Sequence, residues 1–227
     1  MNNILIFGMT ENPGGVESFL MSYIRKINRG NFKFDFLCNS HDKIAYEDEL
    51  ISYGCEIYHI TARSKDYKKY KREMQQFFKE NASQYDTIWV NVCSLANIDY
   101  LKYAKKYGIK RRIIHSHNSQ NMDSKLRGML HERNKKRIDK FATDFWTCSE
   151  DAAKWFYEDR LLPKVVMIRN SISVDRMAFD EEKRRNYREK LQCDERTWVI
   201  GNVGRLHFQK NQKFCLDIFQ HFLKKYP

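Results

Sequence analysis

Two histidines, a serine and an asparagine fall together at His115-Ser116-His117-Asn118, directly after the apolar pair Ile113-Ile114. A neutral imidazole at a strand end can take up a proton or hydrogen-bond a hydroxyl. The alternating spacing puts His115 and His117 on one face if the strand persists that far. A metal site would need a third ligand, and no carboxylate or cysteine stands close in sequence, so no metal is expected. Histidines bonded to main chain at a strand end would give the same pattern.

A second candidate is the loop Gly8-Met9-Thr10-Glu11-Asn12-Pro13-Gly14-Gly15-Val16-Glu17. Gly14 and Gly15 let main-chain N–H groups approach an anion, and a helix start there adds partial positive charge. The lysine of a Walker loop and the spacing of G-x-G-x-x-G are both missing, and a capped turn would look alike. A third candidate, Gly201-Asn202-Val203-Gly204-Arg205-Leu206-His207-Phe208-Gln209-Lys210-Asn211, sets Arg205 and Lys210 around a helix start, where they could clamp a diphosphate.

Charge adds a fourth feature. The chain of 227 residues carries a formal +12, and residues 102–140 hold thirteen Lys or Arg against Asp123, Glu132 and Asp139. So local an excess points to an anionic partner, nucleic acid or an anionic membrane surface, although a solvated helix face reads the same way. Six cysteines without any C-x-x-C pair argue against a zinc site or a disulfide framework. No apolar run suffices for a membrane helix, and the start of the chain is too short and wrongly flanked for a signal peptide.

The elements that must hold these residues alternate between short apolar runs and segments of helical period. Strands are expected at 4–8, 32–38, 56–60, 86–92, 112–115, 144–148 and 164–168. Helices are expected at 16–29, 44–53, 65–81, 98–107, 125–141 and 151–157. This pattern predicts an α/β fold, a Rossmann-like parallel sheet with helices on both faces, whose ligands sit beyond the carboxyl ends of the strands. After an irregular stretch at 169–179, a charged helix (180–191), a strand (198–203) and a helix (209–225) predict an incomplete second α/β unit. The expected division is 1–170 for the first domain, 171–195 for a crossing and 196–227 for the start of a second domain.

In order along the chain, Gly14-Gly15-Val16-Glu17, His115-Ser116-His117-Asn118, Thr147-Cys148-Ser149-Glu150, Ile168-Arg169-Asn170-Ser171-Ile172 and Gly204-Arg205 with Lys210-Asn211 resemble the motifs of family 4 glycosyltransferases of the GT-B fold. The resemblance runs the length of the chain. It implies the acceptor-binding half of a GT-B enzyme plus the start of the donor domain, and retaining transfer of a sugar from a nucleotide-sugar (UDP- or GDP-sugar) to an acceptor hydroxyl, with no cofactor or metal. His117 would stand at the reaction centre, with His115 and Asn118 on the acceptor side. Gly14, Gly15, Arg205 and Lys210 would bind the donor phosphates.

Ser171 departs from the usual glycine, and the E-x7-E segment that would hold the donor's ribose and sugar is missing, so the chain alone is expected to be inactive. The resemblance further implies a lipid-linked saccharide acceptor in capsule or exopolysaccharide synthesis, with the protein cytoplasmic and peripheral on the anionic inner leaflet. Two alternatives stand beside this reading. One is a non-catalytic or split-enzyme subunit that needs a donor-domain partner chain. The other is a basic nucleic-acid-binding α/β protein, disfavoured because no recognition module is present.

Overall fold

A computed structural model describes residues 2–121, 124–206 and 208–226. Asp123 of the charge balance and His207 of the third loop lie outside the described residues. The chain divides into two compact units, one ending at Ser173 and one beginning at Val174.

The first unit is a sheet of seven parallel strands: β1 (Asn2–Phe7), β2 (Phe32–Cys38), β3 (Ile57–His59), β4 (Thr87–Val92), β5 (Arg111–Ser116), β6 (Asp144–Thr147) and β7 (Val165–Met167). Their order is β3-β2-β1-β4-β5-β6-β7. Between them run α1 (Gly15–Ile24), α2 (Glu47–Ser52), α3 (Tyr67–Asn81), α4 (Asp99–Lys106), α5 (Lys125–Lys135) and α6 (Glu150–Phe156). Strand alternation sorts the side chains into two cores. Leu5, Phe7, Ile88, Val90 and Ile114 pack under Tyr70, Met74, Phe78, Leu101 and Phe156 of α3, α4 and α6. Ile6, Trp89 and Ile113, on the other face, pack under Phe19, Leu20, Met21, Ile24 and Leu50 of α1 and α2. Such coverage of both faces is what a parallel sheet requires.

The order of the strands fixes where a ligand can enter. From β1 the chain winds outward through β2 to β3, then returns to β4 on the other side of β1 and winds away through β7. The loops after β1 and β4 therefore leave in opposite directions and open a crevice at the carboxyl edge between them. At the opposite edge a cavity of about 740 Å³ is lined by Ile4, Tyr23, Phe34, Trp89, Ile113 and Trp146.

Two expectations change within this unit. The helix expected at 125–141 stops at Lys135, and a 3-10 turn follows at Ile138–Lys140. His131 and Asn134 turn inward at that point, where His131 Nδ1 accepts from the Leu95 N–H (3.0 Å) and Asn134 Nδ2 donates to the Leu95 carbonyl (2.6 Å). The helix expected at 16–29 ends at Ile24, with turns after it.

The second unit contains α7 (Val174–Met177), α8 (Glu181–Lys190) and α9 (Gln212–Lys225), and none of the three buries a residue. Residues 198–203, expected as a strand, have no regular secondary structure, and Trp198 and Val203 are fully exposed. Local β propensity is insufficient where no neighbouring strand supplies the ladder bonds. No described helix is long and apolar enough to cross a membrane.

Candidate functional site

Gly8 follows β1 directly at φ +130°, a conformation that L side chains rarely adopt, and a Cβ there would collide with the Asn91 carbonyl oxygen. Only glycine lets the first strand lie so close to the fourth. Asn91, 2% exposed, is an amide inside the apolar run Ile88-Trp89-Val90. Its Nδ2 donates to the Phe7 and Trp89 carbonyls (3.3 and 3.4 Å), which leaves Oδ1 as the acceptor. His117, at the end of β5, places Nε2 2.9 Å from that oxygen. The His117 main-chain N–H donates to the Val92 carbonyl (3.2 Å), which prolongs the β4–β5 ladder by one residue. A row Gly8–Asn91–His117 thus crosses three strands at the crevice.

His115 lies beneath this row. It is fully buried between Phe19, Trp89 and Trp146, its ring centroid 4.2 Å from that of His117. Neither ring nitrogen has a hydrogen-bond partner, and the nearby Thr147 main chain only weakly favours the charged form. Burial first, and the neighbouring imidazole second, push its pKa down to about 2. Burial alone pushes His117 down to about 4. Both rings are therefore neutral near pH 7. His115, expected on the acceptor side, is sealed from solvent and packs against the His117 ring.

The loop after β1 is organised by Glu17, which is 4% exposed. Its Oε1 accepts from the Thr10 N–H (3.0 Å) and hydroxyl (2.6 Å), and its Oε2 accepts from the Gly14 N–H (3.0 Å). The Gly14 amide is therefore spent within the loop. Gly15 opens α1, with open space where a Cβ would stand. Asn118 is half-buried and tied to its own loop, donating to the Gln120 carbonyl (3.0 Å) and accepting from the Ser119 N–H (3.0 Å).

Arg205 and Lys210 lie in the second unit, both exposed. There the Lys210 stem passes Gly204, and Gln212 Nε2 donates to the Arg205 carbonyl (2.7 Å). No group of three His, Cys, Asp or Glu among the described residues is placed to hold a metal ion.

Residue reading of the sequence took Gly8 only as the start of its loop and did not single out Asn91 or Phe19, whose ring lies 5.0 Å from both histidine rings. For Asn91 a signal was present: an amide in the middle of an apolar strand needs a partner. The basic stretch is also partly explained from within. Lys102 and Arg111 pair with Asp99 and Asp144. Lys105, Arg112 and Lys135 donate to main-chain carbonyls, and Arg137 to the Asn134 side chain.

No family model matches the chain. It is 26% identical over 229 residues to "Putative glycosyltransferase EpsF" of Bacillus subtilis (strain 168), an alignment covering 94% of this chain and 56% of that protein. The fold is similar to that of Anabaena HepE, solved in complex with UDP and glucose, with a TM-score of 0.69 at 15% identity over 96% of this chain and 57% of HepE. It is also similar to the apo form of the lipopolysaccharide outer core galactosyltransferase WaaB, at TM-score 0.51 and 13% identity over 77% of this chain and 47% of that one. The chain thus spans a little over half the length of EpsF and HepE. These comparisons show a sequence similar to that of a putative glycosyltransferase over most of this chain, and a Rossmann-like sheet like that of the GT-B neighbours HepE and WaaB.

Proposed function

We propose that residues 1–227 form the acceptor-side part of a retaining family 4-type glycosyltransferase, which moves a hexose from a UDP- or GDP-sugar to a hydroxyl of a lipid-linked glycan in cell-surface polysaccharide synthesis. The observation that carries the reading is the Gly8–Asn91–His117 row at the topological switch point of this sheet. In this reading a neutral His117 accepts a hydrogen bond from a sugar hydroxyl, and the Gly15 amide with the α1 dipole meets the donor phosphates. Arg205 and Lys210 offset the charge that develops on the departing diphosphate. Among the described residues, Asn91, His115 and Phe19 pack against the His117 ring and none is a carboxylate, and this reading does not invoke the paired-carboxylate chemistry of glycosidases.

The membrane part of the proposal draws on α5. Lys125, Arg127, Arg133 and Lys136 are exposed on and just after this helix, together with Leu126 (67%) and Met129 (70%). Cations mixed with exposed apolar side chains suit the interface of an anionic leaflet, at about 1 kcal/mol per basic residue near the surface. Such a site would be cytoplasmic, on the inner face of the plasma membrane.

The test is transfer of labelled hexose from UDP- and GDP-sugars to a membrane lipid extract, by the native polypeptide that carries these residues, its length first fixed by intact mass. Label should move to lipid, and His117→Ala should cut transfer at least about 100-fold. Label that stays on the nucleotide with every donor would sink the reading. Transfer only after a second polypeptide is added would select the split-enzyme form.

A further inference from the structure

His117 is a half-buried ring with one strong polar partner, and the identity of that partner determines how the ring presents itself. Asn91 cannot turn its amide over without cost. Its Nδ2 already lies against two carbonyl oxygens, Phe7 and Trp89, and a flipped amide would set Oδ1 against both of them. Gly8 lies beside this residue, at a place where an added Cβ would collide with the Asn91 Cβ and carbonyl. Oδ1 is therefore held as an acceptor at 2.9 Å from His117 Nε2, and a neutral ring can satisfy it only by carrying its proton there. Among the described residues, the other groups packed on the ring are His115 from its own strand and Phe19 from α1. Of these only His115 titrates, and burial keeps it neutral to about pH 2.

We propose that Asn91 is the positioning residue of this site, fixing His117 as the Nε2–H tautomer so that Nδ1 is left as a hydrogen-bond acceptor for a ligand hydroxyl. The tautomer stands on the geometry of this chain alone, whereas the hydroxyl rests on the transferase reading. The same geometry explains why the strand tolerates an amide in its apolar run: Asn91 joins the ends of β1, β4 and β5 at the point where the crevice opens.

The experiment is two-bond ¹H–¹⁵N NMR of the histidine rings in the 227-residue chain, wild type, Asn91→Asp and Asn91→Leu, titrated from about pH 8 to 4. The wild-type His117 ring should be a single neutral species protonated on Nε2. Asn91→Asp keeps the acceptor and adds a negative charge, so the His117 pKa should rise by about one to three pH units. Asn91→Leu removes the acceptor at similar volume, and the slowly exchanging Nε2–H signal of His117 should be lost. A wild-type ring protonated on Nδ1, or an Asn91→Asp ring that titrates where the wild type does, overturns the proposal. If Asn91→Asp fails to fold, persistence of the slow Nε2–H signal in Asn91→Leu overturns it equally. The transfer assay keeps the two readings apart. A locked Nε2–H tautomer in a polypeptide that transfers no sugar sustains Asn91 and removes the transferase, whereas an unlocked ring removes the role of Asn91 whatever the transfer shows.

Discussion

Gly8 bears more structural weight than its size suggests, because its φ of +130° and the Asn91 carbonyl in the path of a Cβ both forbid a side chain. Gly8→Ala is expected to cost about 2–4 kcal/mol, from backbone strain and overpacking together. A fall in the urea midpoint, with a displaced His117 ring signal, would show it; an unchanged midpoint would mean that β1 and β4 can separate freely. His115 gives a prediction in pH. An unfolded imidazole gains its proton near pH 6.5, whereas the folded ring stays neutral to about 2. Below pH 6.5 the unfolded chain thus binds the extra proton, and stability falls by about 1.4 kcal/mol per pH unit from this ring. His117 adds a similar slope down to its own value of about 4. His115→Phe, an aromatic ring among Phe19, Trp89 and Trp146, should leave the pH 7.5 midpoint nearly unchanged and retain about 2 kcal/mol more than wild type at pH 5. Parallel losses in both proteins between those two pH values would rule out His115 as the source.

At the scale of elements, α1 and its entry loop form one device. Glu17 reaches back from the first turn to hold Thr10 and Gly14, and so sets the path on which the Gly15 amide is presented. Glu17→Ala takes the acceptor from two donors of the exposed Thr10 and from the half-buried Gly14 amide, an expected loss of about 1–2 kcal/mol. Protease cleavage within 9–14 should become much faster while β4 and β5 stay protected; equal resistance in both proteins would assign the loop's order to something else.

Most of these elements were legible in the sequence, for identifiable reasons. Runs such as Ile4–Phe7 and Thr87–Val92 carry β-branched and aromatic residues between turn signals, and Tyr70, Met74, Phe77 and Phe78 mark one helix face at helical spacing. The glycine loop and the histidine strand were legible as well, as residue types at strand ends. Asn91 as a partner of His117 was not, since their pairing depends on the register of β4 against β5, which no local pattern encodes. The stop of α5 at Lys135 was hidden too, because it follows from inward bonds to the Leu95 main chain rather than from a Gly or Pro. Residues 198–203 show the reverse, a strand-like pattern without a strand beside it.

For the whole molecule, the net +12 is the property that reaches furthest into solution. Main-chain carbonyls that receive Lys105, Arg112 and Lys135 orient those cations without cancelling their charge, so the local field survives the structural use made of them. The protein should sediment with anionic vesicles at ~0.05 M salt and be released at ~0.5 M, where the screening length falls to a few Å. Leu126→Asp with Met129→Asp, both at exposed positions, should weaken that binding at least about tenfold without changing the fold. Binding indifferent to salt would count against an electrostatic membrane contact. Tight salt-dependent binding to oligonucleotides with none to vesicles would favour the nucleic-acid alternative instead.

The order of the strands also sets a timetable for synthesis. β1 can pair with β2, and β2 with β3, as soon as those segments leave the ribosome, but the other edge of β1 waits for β4. Gly8 therefore meets Asn91 only after three complete strand–helix units have been made, and His117 arrives later still. Closing so long a loop is slow compared with local pairing. A nascent chain halted between β3 and β4 would carry its first strand with one bare edge, open to pairing with another chain. The ligand crevice is thus built around the earliest strand by some of its latest neighbours, and the interval between them is when this protein is most exposed to misassembly.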